Sequence, residues 1–174
     1  IISNETDRLS TLVNDLLDMS RIEAGSLVVT HQECHLGDLI ERAAQRSHPQ
    51  PKERLSVDLP DDLPVFLADA QRIESVLRNL IENAAKYSGE RTPIQVSARV
   101  QSGHLIVRIV DEGPGIPPEA GQRIFESFYR LENDLTREHA GAGLGLSICQ
   151  GFVRAHGGDI WLEPTPIGSS IAFS

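Results

Sequence analysis

The sequence predicts an α+β fold, a two-layer sandwich in which helices cover one face of a mixed, mostly antiparallel sheet, with one further helix ahead of it. Strand and helix patterns do not alternate strictly along the chain, which argues against a parallel β/α wind. Residues 36–46 and 70–87 each carry apolar positions three and four apart, the mark of helices covered on one side. Residues 94–100 and 105–109 alternate apolar with polar, the mark of strands wet on one face.

The 174 residues suffice for one core without covalent staples. Hydrophobic residues make up 40% and charged residues 24%, an ordinary globular mixture. The formal charge of −9 repels phosphate backbones and anionic lipid, so nucleic acid is excluded as a first partner and an anionic ligand needs a dedicated local site. Cys34 and Cys149 lie far apart with no CxxC spacing, which speaks against a zinc site or a disulfide framework. No apolar run reaches membrane-spanning length, and no signal-peptide layout opens the chain. Ile1 and Ile2 carry no helix-start signal and Ser174 falls within an apparent strand, so the sequence reads as a segment of a longer chain.

In order, residues 1–24 place Ile2, Leu9, Leu12, Leu16 and Met19 on heptad a and d positions, widened by Val13 and Leu17. Such a helix seeks another helix, either in its own domain or in a dimerising bundle. Ala24-Gly25 stops it. A β-rich stretch at 27–31, a helix at 36–46, a proline-bearing loop at 47–53 and short strands at 55–59 and 65–67 follow. Asp69 is placed to cap the helix 70–87, whose Ile73, Val76, Leu77, Leu80, Ile81 and Ala84 form a core face. A hairpin turns at Ser102-Gly103. Then come a Gly/Pro turn at 111–118, a short helix near 120–125, a polar stretch at 132–141, a helix at 144–156 ended by Gly157-Gly158, and two closing strands.

Three places carry chemistry. Asn79, Asn83 and Lys86 share one stripe of the core helix, two amides and an ammonium looking outward together. An amide oxygen can complete the oxygen shell of Mg²⁺ and an ammonium can meet phosphate, although a solvated helix flank would show the same stripe. Asp111 falls on the inward side of its strand, with Leu105, Val107 and Ile109, and a carboxylate there needs a partner. With Gly113 and Gly115 letting the backbone approach closely, it could accept from an exocyclic amine such as adenine's, or merely organise a tight turn. Gly141, Gly143 and Gly145 open the last helix, whose free N–H groups attract phosphate. They form neither a P-loop nor a Rossmann fingerprint.

In order, Asn79-Leu-Ile-Glu-Asn83-Ala-Ala-Lys86-Tyr87-Ser88, Asp111-Glu-Gly113-Pro-Gly115-Ile, Phe125-Glu-Ser-Phe128-Tyr-Arg130 and Gly141-Ala-Gly143-Leu-Gly145-Leu resemble the N, G1, F and G2 boxes of sensor histidine kinases. The run Asp15-Leu-Leu-Asp-Met-Ser-Arg-Ile-Glu-Ala-Gly25 resembles the second helix of their dimerisation and phosphoacceptor domain. The likeness thus divides the chain into 1–25, part of that domain, and 26–174, an ATP-binding catalytic domain; residues 47–64 add nothing to it. Within the family, the stretches around Tyr87, 92–99 and 149–158 look most like Kdp-type potassium-responsive kinases.

The resemblance implies a Bergerat-type (GHKL) ATPase sandwich shared with gyrase and Hsp90, holding ATP and Mg²⁺ beneath a lid at 131–140. It assigns the metal to Asn83, phosphate support to Asn79 and Lys86, adenine packing to Tyr87 and adenine recognition to Asp111. Glu82 matches an acidic position that orients or deprotonates the attacking histidine, and Arg137 is a lid contact to phosphate. Gly113, Gly115, Ile116, Phe128, Gly141, Gly143, Leu144 and Gly145 complete the nucleotide set through their boxes. The activity implied is transfer of the γ-phosphoryl group to a histidine and relay to a response-regulator receiver domain, in the cytoplasmic part of a membrane-anchored, homodimeric sensor. None of the six histidines stands in a His-Glu-x-x-x-Pro context, so the acceptor is expected on a helix outside this sequence. Two rivals remain at this point: an ATPase of the same fold, and a regulatory module that has lost catalysis.

Overall fold

A computed structural model of the chain describes residues 2–48, 51, 53–131 and 142–174, with side chains from residue 9 onward. The predicted Arg137 and Gly141, and nearly all of the predicted lid, lie outside the described residues.

Helix α1, Ile2–Glu23, leads in and ends at Gly25, whose φ of 62° only glycine adopts readily. Strand β1, Gln32–Cys34, pairs antiparallel with β3, Phe66–Ala68, as a separate two-stranded ribbon. Around it stand α2, Leu36–Arg46, and β2, Leu55–Asp58. Helix α3, Ala70–Tyr87, is followed by the hairpin β4, Ile94–Gln101, and β5, His104–Asp111. Helix α4, Gly145–Ala155, precedes β6, Ile160–Glu163, and β7, Ser169–Phe173. The main sheet has the order β2-β4-β5-β7-β6, parallel only between β2 and β4.

The expected layering is present. Val96, Val107, Ile109 and Phe173 on the sheet meet Leu39 and Ile40 of α2, Val76, Leu77, Leu80 and Ile81 of α3, and Ile148 and Phe152 of α4 in one buried cluster. The outer face is polar and is laced by Arg108 of β5 and Glu163 of β6, which form an ion pair. Both cysteines are free and buried.

Three local expectations shift. Residues 27–31 are not a strand; pairing begins at Gln32, opposite Ala68, because the ribbon partner is only three residues long. The helix near 120–125 is two 3-10 turns, Pro118–Ala120 and Arg123–Phe125, parted at Gly121. Strand β2, expected over 55–59, spans only Leu55–Asp58, and as an edge strand it leaves Val57 46% exposed.

Helix α1 packs only part of its heptad stripe on its own body. Leu12, Met19 and Ile22 turn toward the body and are half-buried, while Leu9, Val13, Leu16 and Leu17 are exposed. No helix among the described residues is long and apolar enough to cross a membrane.

Candidate functional site

The site begins at the N-terminus of α3. Asp69 caps it as predicted: its Oδ1 accepts from the N–H groups of Gln71 at 3.1 Å and Arg72 at 3.2 Å, and its Oδ2 from that of Thr30 at 3.1 Å. His156 fixes the same corner, with Nε2 accepting from the Asp69 N–H at 3.0 Å. A helix so pinned carries Asn79, Glu82, Asn83, Lys86 and Tyr87 to one wall of a cavity of about 520 Å³, a volume that suits a nucleotide.

Strand β5 delivers Asp111 to the same cavity, and the residue is only 8% exposed. Burial pushes its carboxyl above the ordinary range, opposed by the N–H of Gly113, which donates to Oδ1 at 2.7 Å, and by Ser169 of β7. The inward aspartate thus has the partners that its place on the strand demanded, and it still borders the cavity. Gly115, Ile116 and Pro114 form the adjoining wall. Gly113 is not part of the lining. A side chain there would stand 2.7 Å from the Tyr87 carbonyl oxygen, so this glycine allows the turn to seat against the end of α3.

The third wall is the start of α4, where Ala142, Gly143, Leu144, Gly145 and Leu146 line the cavity. Gly143 has φ 74°, and an added Cβ would come within 3.0 Å of the Phe128 backbone. The Phe128 N–H donates to the Gly143 carbonyl at 2.9 Å, tying the two segments together. At Gly145 a Cβ would stand 3.0 Å from Asn79 Oδ1, so helix α4 opens directly against that amide. The Asn79 amide nitrogen donates to the Ser75 carbonyl at 3.2 Å, which leaves the oxygen on that side.

The structure therefore gathers Asn79, Glu82, Asn83, Lys86, Tyr87, Asp111, Gly115, Ile116, Gly143, Leu144 and Gly145 around one cavity. Phe128 stands apart: it has φ 65°, is 64% exposed and does not line the cavity. Its neighbours Tyr129 and Arg130, quoted in the same box without a role, and Leu131, the first residue of the expected lid, do. Thr11, Leu12 and Asp15 of α1 also line it, which no local signal announced because only docking of α1 brings them there.

That end of the cavity is acidic. Burial raises the pKa of Glu82, countered by the His48 N–H and by Arg78; burial likewise raises that of Asp15, where Arg78 opposes and Asp18 and Glu82 add to the rise. Among the described residues no cluster of three or more His, Cys, Asp or Glu side chains could hold a metal alone. One amide oxygen at Asn83 beside a polyphosphate is a donor set that fits Mg²⁺, which keeps waters and takes few protein ligands.

A layered α+β body with an acid, two amides and a glycine-opened helix converging on one nucleotide-sized cavity defines a nucleotide-binding ATPase module. The chain belongs to the histidine kinase-, DNA gyrase B- and HSP90-like ATPase family, whose model matches residues 68–174. The alginate biosynthesis sensor protein KinB of Pseudomonas aeruginosa is 38% identical over 168 residues, covering 95% of this chain and 28% of its own length. Full-length ShkA in complex with AMPPNP superposes with a TM-score of 0.81 at 29% identity, over 98% of this chain and 35% of that one. Histidine kinase ThkA in complex with the response regulator protein TrrA gives 0.76 at 28% identity, over 99% of this chain and 48% of that one. The chain thus spans between 28% and 48% of the length of these similar proteins.

Proposed function

We propose that this chain is the catalytic part of a sensor histidine kinase, binding Mg²⁺-ATP and transferring the γ-phosphoryl group to a histidine for relay to a response regulator. The single observation that carries the reading is the convergence of Asn83, Asp111 and the Gly143–Gly145 turn on one cavity. Asp111 accepts from the adenine amino group, with Tyr87 alongside the base. The free N–H groups that open α4 and the Lys86 ammonium take the phosphates, and the Asn79 oxygen beside Gly145 fixes the helix start. Asn83 holds the metal, which supplies charge neutralisation as the phosphoryl group moves. Glu82 orients the attacking imidazole.

The acceptor histidine belongs to a helix outside this sequence, since no histidine here is followed by glutamate. The exposed stripe Leu9, Val13, Leu16 and Leu17 is the face on which α1 joins a bundle, and that bundle makes the sensor a homodimer on the cytoplasmic side of its membrane. The relatives that match are named as sensors and kinases, and ThkA is paired with a response regulator, which supports this reading over a chaperone-like or topoisomerase-like ATPase.

Two measurements test it. Titration with a fluorescent ATP analogue, with and without Mg²⁺, is expected to saturate and to require the metal for full affinity. Incubation with γ-labelled ATP and a separately supplied phosphoacceptor domain is expected to label a histidine with acid-labile phosphate. Binding and hydrolysis of ATP without any labelled histidine would assign the chain to an ATPase of the same fold.

A further inference from the structure

The turn that leaves α2 carried no functional signal in the sequence, yet it reaches the cavity wall. Ser47 ends the helix with φ −70° and ψ 144° and is wholly buried, at 0% exposed. Its hydroxyl donates to the Ala43 carbonyl at 2.8 Å, which fixes the turn against its own helix. The next peptide N–H, that of His48, consequently faces α3 and donates to Glu82 Oε1 at 3.0 Å. Among the described residues this is the only hydrogen bond to the Glu82 side chain. Glu82 itself borders the cavity next to Asn83, with Asp15 of α1 on the same lining.

A glutamate on a helix flank has three rotatable bonds, and a carboxylate that must meet an incoming group is useful only when one rotamer is selected. A hydrogen bond from a peptide N–H to one oxygen selects it and leaves the other free, and a donor to a charged acceptor is of the stronger kind. Arg78 acts on Glu82 through its charge, with no hydrogen bond between the two side chains among the described residues, so it selects no single rotamer.

We infer that the Ser47–His48 turn is a positioning element of the phosphotransfer site: the backbone N–H of His48 holds Glu82 in the orientation from which it meets the acceptor imidazole. The inference rests on the role given to Glu82 above. It assigns the work to a peptide bond, so the identity of the side chain at 48 is secondary.

The test removes the N–H and keeps the fold. His48→Pro deletes the donor, and the extended ψ of Ser47 is what a residue before proline prefers. Phosphoryl transfer to a separately supplied phosphoacceptor domain is expected to lose roughly tenfold or more in kcat, with KM for ATP and Tm little changed. His48→Ala, which retains the N–H, is expected to keep most of the rate. In the Glu82→Gln background, His48→Pro is expected to cost nothing further, because the group it positions is already gone. An independent reading is the His48 amide proton, expected downfield in the unaltered chain and shifted upfield by Glu82→Ala. Equal kcat for His48→Pro and the unaltered chain, or a full additional loss in the Glu82→Gln background, overturns the inference while leaving the kinase reading intact. Absence of transfer by the unaltered chain defeats the kinase reading, and this inference with it.

Discussion

Asp111 ends a strand on its covered side, and water is largely excluded from its carboxylate. Its raised pKa means that the fold favours the protonated form: that contribution to stability is full below the ordinary aspartate pKa and is lost as pH rises through the raised one. Recognition of an adenine amino group needs the opposite, an ionised acceptor, so ATP affinity is expected to fall as pH drops through that raised value, while affinity for free triphosphate stays level. Asp111→Asn is expected to weaken ATP roughly tenfold or more with a small effect on triphosphate, and to leave Tm at neutral pH no lower; parallel losses for both ligands would refute the adenine contact. Asn83 lies on the half-exposed side of α3, where alanine is the better helix former. Asn83→Ala is therefore expected to abolish the Mg²⁺-dependent part of ATP binding and to gain up to about 0.5 kcal/mol of stability, as checked by titration with and without metal beside thermal melting. Both residues were legible in the sequence, one through period-two alternation and the other through its stripe with Asn79 and Lys86. Phe128 was legible as a motif member only; its left-handed φ and outward ring come from the close approach of Gly143.

Helix α1 docks on the body through contacts of different kinds. Arg72 donates to Asp18 at 2.9 Å with both side chains more than three-quarters buried, Met19 sulfur receives the hydroxyls of Ser127 at 3.6 Å and Ser147 at 3.9 Å, and Ile22 packs on Gly151. A Cβ at Gly151 would fall 2.5 Å from Ile22 Cδ1, so α1 fits only because that position of α4 has no side chain. Gly151→Leu is expected to lift α1 from the body while α4 gains intrinsic helicity of about 1 kcal/mol. Hydrogen exchange should then rise over residues 12–23 with the core of α3 unchanged; undiminished protection of 12–23 would show that Gly151 is not the seat. The heptad stripe announced that this helix seeks another helix, in its own domain or in a bundle. It could not say which residues face the body, since both sets obey the same spacing.

Across the whole molecule, the cavity depends on pieces far apart in sequence being pressed together. Gly168, between β6 and β7, has φ 71°, and a Cβ there would overlap the Asp111 carbonyl oxygen at 1.7 Å. Gly168→Ala is expected to destabilise the fold by roughly 2 kcal/mol or more, lowering Tm by about 4–8 °C, and to weaken ATP by displacing the Asp111 corner of the cavity. An unchanged melting curve would mean that the two turns do not bear on one another. The sequence by itself determined the layered α+β class, the bounds of α2 and α3, the inward aspartate and the shared stripe of Asn79, Asn83 and Lys86, because period and capping are local properties of the chain. Only the tertiary structure decided that α1 walls the cavity with Thr11 and Asp15, that Arg130 lines it while Phe128 does not, and that a peptide N–H at residue 48 holds Glu82. Those contacts join segments with no common periodicity, and their strength comes from burial and close approach, which exist only once the core has formed.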